Sequence, residues 1–329
     1  MPLPERKLIT KAKATTDPGF GKRPMERSIE EHLSYGVINL DKPRGPTSHE
    51  VAAWVKGILK IKKAGHGGTL DPRVNGVLPI TLEESTKIVK VLLNAGKEYV
   101  CAMRLHSDSS RHKIGEALSK FVGEIYQRPP VKSAVKRQLR TRRIYYINLL
   151  EVDNRDVLFK VGCEAGTYIR KLCHDIGEVL GLGAHMLELR RTKSGIFDES
   201  TIITLHDLAD AYAFYRENGR EDFLRKVVIP VEEALAHLPL IIVRDGAIDA
   251  LCHGANLAIP GIVKLDSELN PGTEVALMTL KGELIAIGSA LMDTKKILID
   301  EKGIAVRTKR VIMKPGTYPR KWHKREENA

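Results

Sequence analysis

Aromatic residues make up only 5% of this 329-residue chain, so any core must be built from Leu, Ile and Val. Cysteine is scarcer: Cys101, Cys163, Cys173 and Cys252 are the four, far apart and without a CxxC pair. That spacing argues against a disulfide framework or a zinc ribbon and reads as small buried hydrophobes in a reducing compartment. HxxxH, HExxH and clustered His/Cys patterns are lacking, so the chemistry is framed without a metal. The one glycine-rich bend is not followed by GKS or GKT, which speaks against a P-loop. No apolar run reaches membrane-spanning length, and the N-terminal charges leave no room for an apolar signal core; both point to a cytoplasmic protein.

Positive charge is what the chain has in excess. Lys and Arg outnumber Asp and Glu by 53 to 41, a net charge of +12, which favours a polyanionic partner without specifying any chemistry. The excess is concentrated. Residues 128 to 143 carry seven Lys or Arg and no acid, among them Lys132, Lys136, Arg137, Arg140, Arg142 and Arg143. A second acid-free tract runs from Arg307 to Arg325 with eight basic residues. Strips this long and this unbalanced read as surfaces that track phosphates more readily than as solvated salt-bridge faces.

The period of the apolar residues divides the chain. Thr47 and Glu50 have capping-box spacing ahead of Val51, Trp54, Val55, Ile58 and Leu59, predicting a helix that closes near Lys60 to Gly65. Tyr99, Cys101, Met103 and Leu105 alternate as in a half-buried strand, and so do Val157, Phe159, Val161 and Cys163. A helix is expected around Lys113 to Phe121, and another from Thr167 with Ile169, Leu172, Cys173, Ile176 and Leu180 on one stripe. From there to about residue 235 the pattern reads as helix or loop. Beyond Leu240, short apolar runs separated by Gly, Pro, Asp and Asn predict a β-rich domain of roughly 75 residues. The division is 1–34 as an N-terminal extension packed on the second domain, 35–240 as the main domain, 241–315 as the β-rich domain and 316–329 as a basic tail.

Within the main domain, GHGGTLDPRVNGVLP places Asp71 in a bend where glycines permit close backbone approach and unusual φ values. A carboxylate held there suits a nucleophile or base; Asp-Pro followed by Asn-Gly is equally an ordinary pair of turns. Arg170 falls in the first turn of a helix, where a cation opposes the helix dipole, so a phosphate or a carboxylate such as Asp71 should compensate it. Tyr99 is either half-buried core or a ring for a base to stack on. His66, five residues before Asp71, could orient the bend or contact RNA.

Six segments carry a resemblance: GVINLDKPRGPTSHEV at 36 to 51, GHGGTLDPRVNGVLP at 65 to 79, KEYV at 97 to 100, RPPVKSAVKR at 128 to 137, GTYIRKLCHDIG at 166 to 177 and AHMLELRRTKSG at 184 to 195. In their order they resemble the TruB family of pseudouridine synthases, and within it the archaeal and eukaryotic catalytic subunits of box H/ACA guide ribonucleoproteins. LCHGANLAIPGI at 251 to 262 and ALMDTKKI at 290 to 297 resemble a PUA domain. The resemblance implies an α+β fold with a central, mostly antiparallel mixed sheet, plus a small β-rich PUA pseudobarrel that binds RNA. It implies isomerisation of uridine to pseudouridine with no cofactor. Asp71 matches the catalytic aspartate, Tyr99 the tyrosine stacked on the target base, Arg170 the arginine paired with the aspartate and Leu189 the pocket leucine. His66 matches the histidine beside the flipped nucleotide. Lys42 matches a lysine that supports the site, and is grouped here with Lys132, Lys136, Arg137 and Arg140 as an RNA-binding position. Implied partners are a box H/ACA guide RNA, substrate rRNA or tRNA, and the proteins Nop10, Gar1 and L7Ae. The rival reading is a guide-independent enzyme acting on the TΨC arm of tRNA. Ser107 departs from the glycine common in relatives and bears only on a loop. An archaeal source is expected, because the tail lacks a long lysine-rich extension.

Overall fold

The computed structural model describes residues 7–128 and 138–320. They fall into two units, one of Ile38–Thr81 with the described residues of 89–220, the other of residues 7–37, Leu82–Ile88 and residues 221–320. Lys132, Lys136 and Arg137 lie outside the described residues.

The first unit is built on a mixed sheet whose strands run in the order Gly36–Lys42, Asn75–Leu82, Ala184–Ser194, Lys97–Leu105, Asp156–Cys163, Arg140–Asp153, Gly123–Gln127. Asn75–Leu82 and Ala184–Ser194 pair in parallel, and every pair from there to Gly123–Gln127 is antiparallel. The alternation expected from Tyr99 to Leu105 and from Val157 to Cys163 sets one face of this sheet. Helix Ile169–Leu180 lays Ile169, Leu172, Cys173 and Ile176 into the same core. Each aliphatic side chain so buried contributes about 1.5–3 kcal/mol, which fixes the helix on the sheet. The capping box is formed: Thr47 accepts from the Glu50 amide and the Glu50 carboxylate accepts from the Thr47 amide, opening helix Ser48–Leu59. All four cysteines are free and buried.

Two differences from the sequence pattern matter for the site. The segment read as helix or loop after Leu180 opens with an 11-residue strand, Ala184–Ser194, in the middle of the sheet. Its alternation is masked because Glu188, Arg190 and Lys193 share it with a charged residue on the inner face, Arg191. The residues just after Asp71 also form a strand, Asn75–Leu82, almost wholly buried; its continuous apolar run carries no period. The helix expected at Lys113 to Phe121 spans Arg111–Ser119.

The second unit is a curled seven-stranded sheet in the order Leu8–Thr10, Ile262–Asp266, Leu240–Val243, Glu274–Met278, Leu284–Ala290, Ile304–Val311, Leu257–Ala258. The five apolar runs read beyond Leu240 are strands here, joined by two short helices the pattern did not show, Asp245–Cys252 and Thr294–Ile299. The N-terminal segment supplies an edge: Leu8–Thr10 pairs antiparallel with Ile262–Asp266. Lys11 Nζ donates to the carbonyls of Leu298 and Asp300, and Asp245 accepts from Thr16 Oγ1 and the Asp17 amide. Arg27 forms a two-point pair with Glu232 at 3.0 and 2.7 Å, both side chains buried. Among the described residues no helix is long and apolar enough to cross a membrane.

Candidate active site

Asp71 lies in the bend between strands Ala64–His66 and Asn75–Leu82, and the backbone on both sides of it is fastened. Ser48, first residue of its helix, accepts from the Leu70 amide at 2.9 Å and donates to the Leu70 carbonyl at 3.2 Å. Lys42, fully buried at the end of its strand, donates to the carbonyls of Pro43, Pro72 and Val74 at 2.9, 3.2 and 3.0 Å. Pro72 O also accepts from the Gly45 amide, and Asp71 O from the Val74 amide. Two glycines are obligatory. Gly68 has φ +142°, and at Gly76, with φ +104°, an added Cβ would sit 2.2 Å from the Arg191 carbonyl oxygen. The result is a rigid loop whose carboxylate is left facing outward, 55% exposed.

Arg170 reaches that carboxylate from the other side of the chain, its Nη2 donating to Asp71 Oδ2. Its helix is started by Gln127, a buried residue whose side chain accepts from the Tyr168 amide at 2.9 Å and donates to the Tyr168 carbonyl at 3.1 Å. The pair is more open than a charge pair on a cleft floor would be, with Arg170 57% exposed. An exposed pair of this kind is worth about 0–1 kcal/mol, so its effect is to orient the carboxylate and to offset a cation in a first helical turn, with little bearing on stability.

Tyr99 is 9% exposed and packs in the core cluster that also receives Leu189. In the sheet Tyr99 faces Arg191 and Cys101 faces Leu189, so these four share one face. Burial pushes the Tyr99 phenol up, with Arg191 opposing, and the Asp71 charge is felt at both Tyr99 and Lys42. His66 is half-buried with its ring edge-on to His49, centroids 4.8 Å apart; burial first, then the His49 and Arg191 charges, hold it below the usual imidazole range. The structure therefore brings Asp71, Arg170, Tyr99, Leu189, His66 and Lys42 into one unit. Lys42 is corrected as an RNA-binding position, because its three donors are consumed by backbone carbonyls and none is left for a phosphate. Arg140 begins its strand opposite Gln127, the residue that clamps Tyr168.

Two residues of the site escaped the sequence pattern. Arg191 is 1% exposed and donates to Val77 O at 2.7 Å and Gly68 O at 3.0 Å. Lys97, also buried, donates to the carbonyls of Leu92 and Ala95 at 3.0 and 2.6 Å. The available signal was parity. On a strand, neighbours face opposite ways, so in Arg190-Arg191 only one can meet solvent. Arg190 is that one, paired with Asp41 and Glu199.

Comparison with known proteins gives the class first. Residues 56–169 match the N-terminal domain of TruB family pseudouridylate synthases, and 170–236 the C-terminal domain of tRNA pseudouridylate synthase B. Residues 239–312 match the PUA domain and 3–52 the DKCLD (NUC011) domain. These are the domains of an RNA pseudouridine synthase that carries a PUA domain. The chain belongs to the TruB family of pseudouridylate synthases. It is 60% identical over 318 residues to a probable tRNA pseudouridine synthase B of Methanopyrus kandleri, covering 97% of this chain and 94% of that one. The corresponding Pyrococcus abyssi protein is 57% identical over 320 residues, covering 97% and 96%. Among solved structures, a chain of a Cbf5-Nop10-Gar1 complex superposes with a TM-score of 0.92 at 56% identity, covering 96% of each chain. A chain of an H/ACA RNP bound to a substrate RNA containing 2′-deoxyuridine gives 0.91 at 53% identity, covering 97% and 98%.

Proposed function

We propose that this chain converts specific uridines of RNA to pseudouridine as the catalytic subunit of a box H/ACA guide ribonucleoprotein in an archaeal cytoplasm. The observation that carries the proposal is the Asp71–Arg170 pair set beside Tyr99 in a fold otherwise equipped for RNA. The isomerisation breaks the N1–C1′ bond, turns the uracil and joins C5 to C1′; nothing is oxidised or reduced. One carboxylate suffices, acting at C1′, at C6 or on the C2′ proton. Arg170 holds it aimed, while Tyr99 and Leu189 enclose the base, and His66 sits beside the extruded nucleotide. Extrusion costs a few kcal/mol, offset by contacts along the RNA.

In this reading residues 35–240 are the catalytic domain and 241–315 the PUA domain gripping the guide, steadied by residues 1–34. The strip holding Lys132, Lys136, Arg137 and Arg140 follows substrate phosphates. Nop10, Gar1 and, through the guide RNA, L7Ae complete the particle; the likeness to a chain bound to Nop10 and Gar1 supports the first two. The test is pseudouridine formation in rRNA and tRNA substrates with and without a cognate guide RNA. Conversion that requires the guide supports the proposal. Full conversion of a tRNA transcript by the chain alone favours the second reading, a guide-independent tRNA enzyme, which the naming of the M. kandleri and P. abyssi relatives supports.

A further inference from the structure

Arg170 is the second residue of helix Ile169–Leu180, in the turn where a helix frays first and where its leading amides have no partner within it. Other helices of this unit close that end locally: Thr47, Ser110 and Thr204 each accept from the amide three residues on. Helix Ile169–Leu180 does not. Its capping position is Tyr168, whose side chain makes no capping bond.

The fastening comes instead from 41 residues earlier. Gln127, 2% exposed at the end of strand Gly123–Gln127, gives both ends of its amide to one residue: Oε1 accepts from the Tyr168 amide at 2.9 Å and Nε2 donates to the Tyr168 carbonyl at 3.1 Å. An N–H requires the oxygen and a carbonyl requires the NH2, so the amide can sit only one way round. Tyr168 O also accepts from the Leu172 amide at 3.0 Å, within the first turn of the helix. The preceding turn is tied to the neighbouring strand, where the Arg143 amide donates to Glu164 Oε2 at 3.0 Å and Thr167 Oγ1 donates to Glu164 O at 2.7 Å. Arg170 itself is 57% exposed and meets Asp71 across open space. With so little packing of its own, its aim is inherited from the backbone that Gln127 holds.

We propose that Gln127 is a positioning residue for the isomerisation: its amide fixes the first turn of helix Ile169–Leu180 and thereby aims Arg170 at Asp71. The inference rests on the reading of Asp71 and Arg170 given above. It differs from a cap that only stabilises, because loss of the amide slows conversion in protein that is still folded. RNA affinity is spared, since a buried neutral side chain meets no phosphate.

The test uses the complete chain assembled with guide RNA and accessory proteins, with conversion followed in a single turnover at saturating enzyme. Gln127→Met keeps the length of the side chain and removes both bonds. It is expected to slow conversion about a hundredfold and to leave substrate RNA affinity unchanged within about twofold. Gln127→Glu keeps an acceptor for the Tyr168 amide, at a helix end that favours a carboxylate, and should convert about fivefold faster than Gln127→Met. Ser110→Ala, which uncaps helix Arg111–Ser119, is the control: it should lower the midpoint in denaturant and leave the rate within about twofold. A crystal structure of the isolated Gln127→Met chain should show Arg170 drawn away from Asp71. A wild-type rate in Gln127→Met, a loss carried by RNA affinity, an equal slowing in Ser110→Ala, or a Gln127→Glu no faster than Gln127→Met would each overturn the proposal. So would an unmoved Arg170. If neither Gln127 variant folds, the amide is an element of the fold and the proposal falls. A wild type that converts no uridine defeats the functional reading alone, because the crystal structure still reports whether Gln127 aims Arg170.

Discussion

Asp71 gains its character from how little surrounds its side chain and how much surrounds its backbone. Lys42, Ser48 and Arg191 consume polar groups of the bend on three sides, and among the described residues the carboxylate meets Arg170 alone. Asp71→Asn should therefore abolish pseudouridine formation while shifting stability by less than about 1 kcal/mol, with RNA affinity retained. Loss of RNA binding in a folded Asp71→Asn protein would assign the residue to structure. Lys97 gives a different prediction. Burial holds its ammonium at about 7, against 10.5 for an ordinary lysine. Between those values the unfolded chain binds the proton that the folded chain has lost, so stability attributable to this residue rises with pH across that window. Denaturation of wild type and Lys97→Met from pH 7 to 10 should show the wild type gaining on the variant as pH increases. A constant difference would mean that the carbonyls of Leu92 and Ala95 keep the ammonium charged in the fold.

At the scale of elements, periodicity recovered those that have one wet face and one dry. Helix Ser48–Leu59, strands Lys97–Leu105 and Asp156–Cys163, and the helix stripe from Ile169 were legible for that reason. Asn75–Leu82 and Ala184–Ser194 were not. The first is dry on both faces, and the second buries an arginine where a pattern reader expects an aliphatic. Those two strands flank the site, so its chemistry was readable as residue types while its scaffold was not: Asp71 and Arg170 could be paired by charge, but Arg191 needed the register. The parallel pairing of Gly76 with Arg191 makes this junction intolerant of a methyl group. Gly76→Ala is expected to destabilise the protein by about 3 kcal/mol, read as a lowered midpoint in denaturant. It should also reduce the rate in the protein that remains folded, since the strand carrying Leu189 and Arg191 must move aside.

For the molecule as a whole, charge and modularity act together. A net charge of +12 with acid-free basic tracts predicts RNA affinity governed by counterion release. Raising salt from about 50 to about 200 mM should weaken binding by about a thousandfold if six or more phosphates are contacted. A flat salt response measured by filter binding would contradict a phosphate-tracking role for those tracts. In the second unit the buried Arg27–Glu232 pair links residues two hundred positions apart. Arg27→Ala leaves a carboxylate buried without its cation and should cost about 3 kcal/mol or more in unfolding free energy.

That unit is stitched from segments far apart in the sequence: the strand Leu8–Thr10 pairs with Ile262–Asp266. On the ribosome its first pieces emerge long before their mates. The Asp71 domain can collapse as it is translated, whereas the PUA sheet must wait for Ile262–Asp266 while Leu8–Thr10 waits with an unpaired edge. Biogenesis thus has a built-in order, with a nascent chain that acquires its Asp71 bend before its PUA sheet can close.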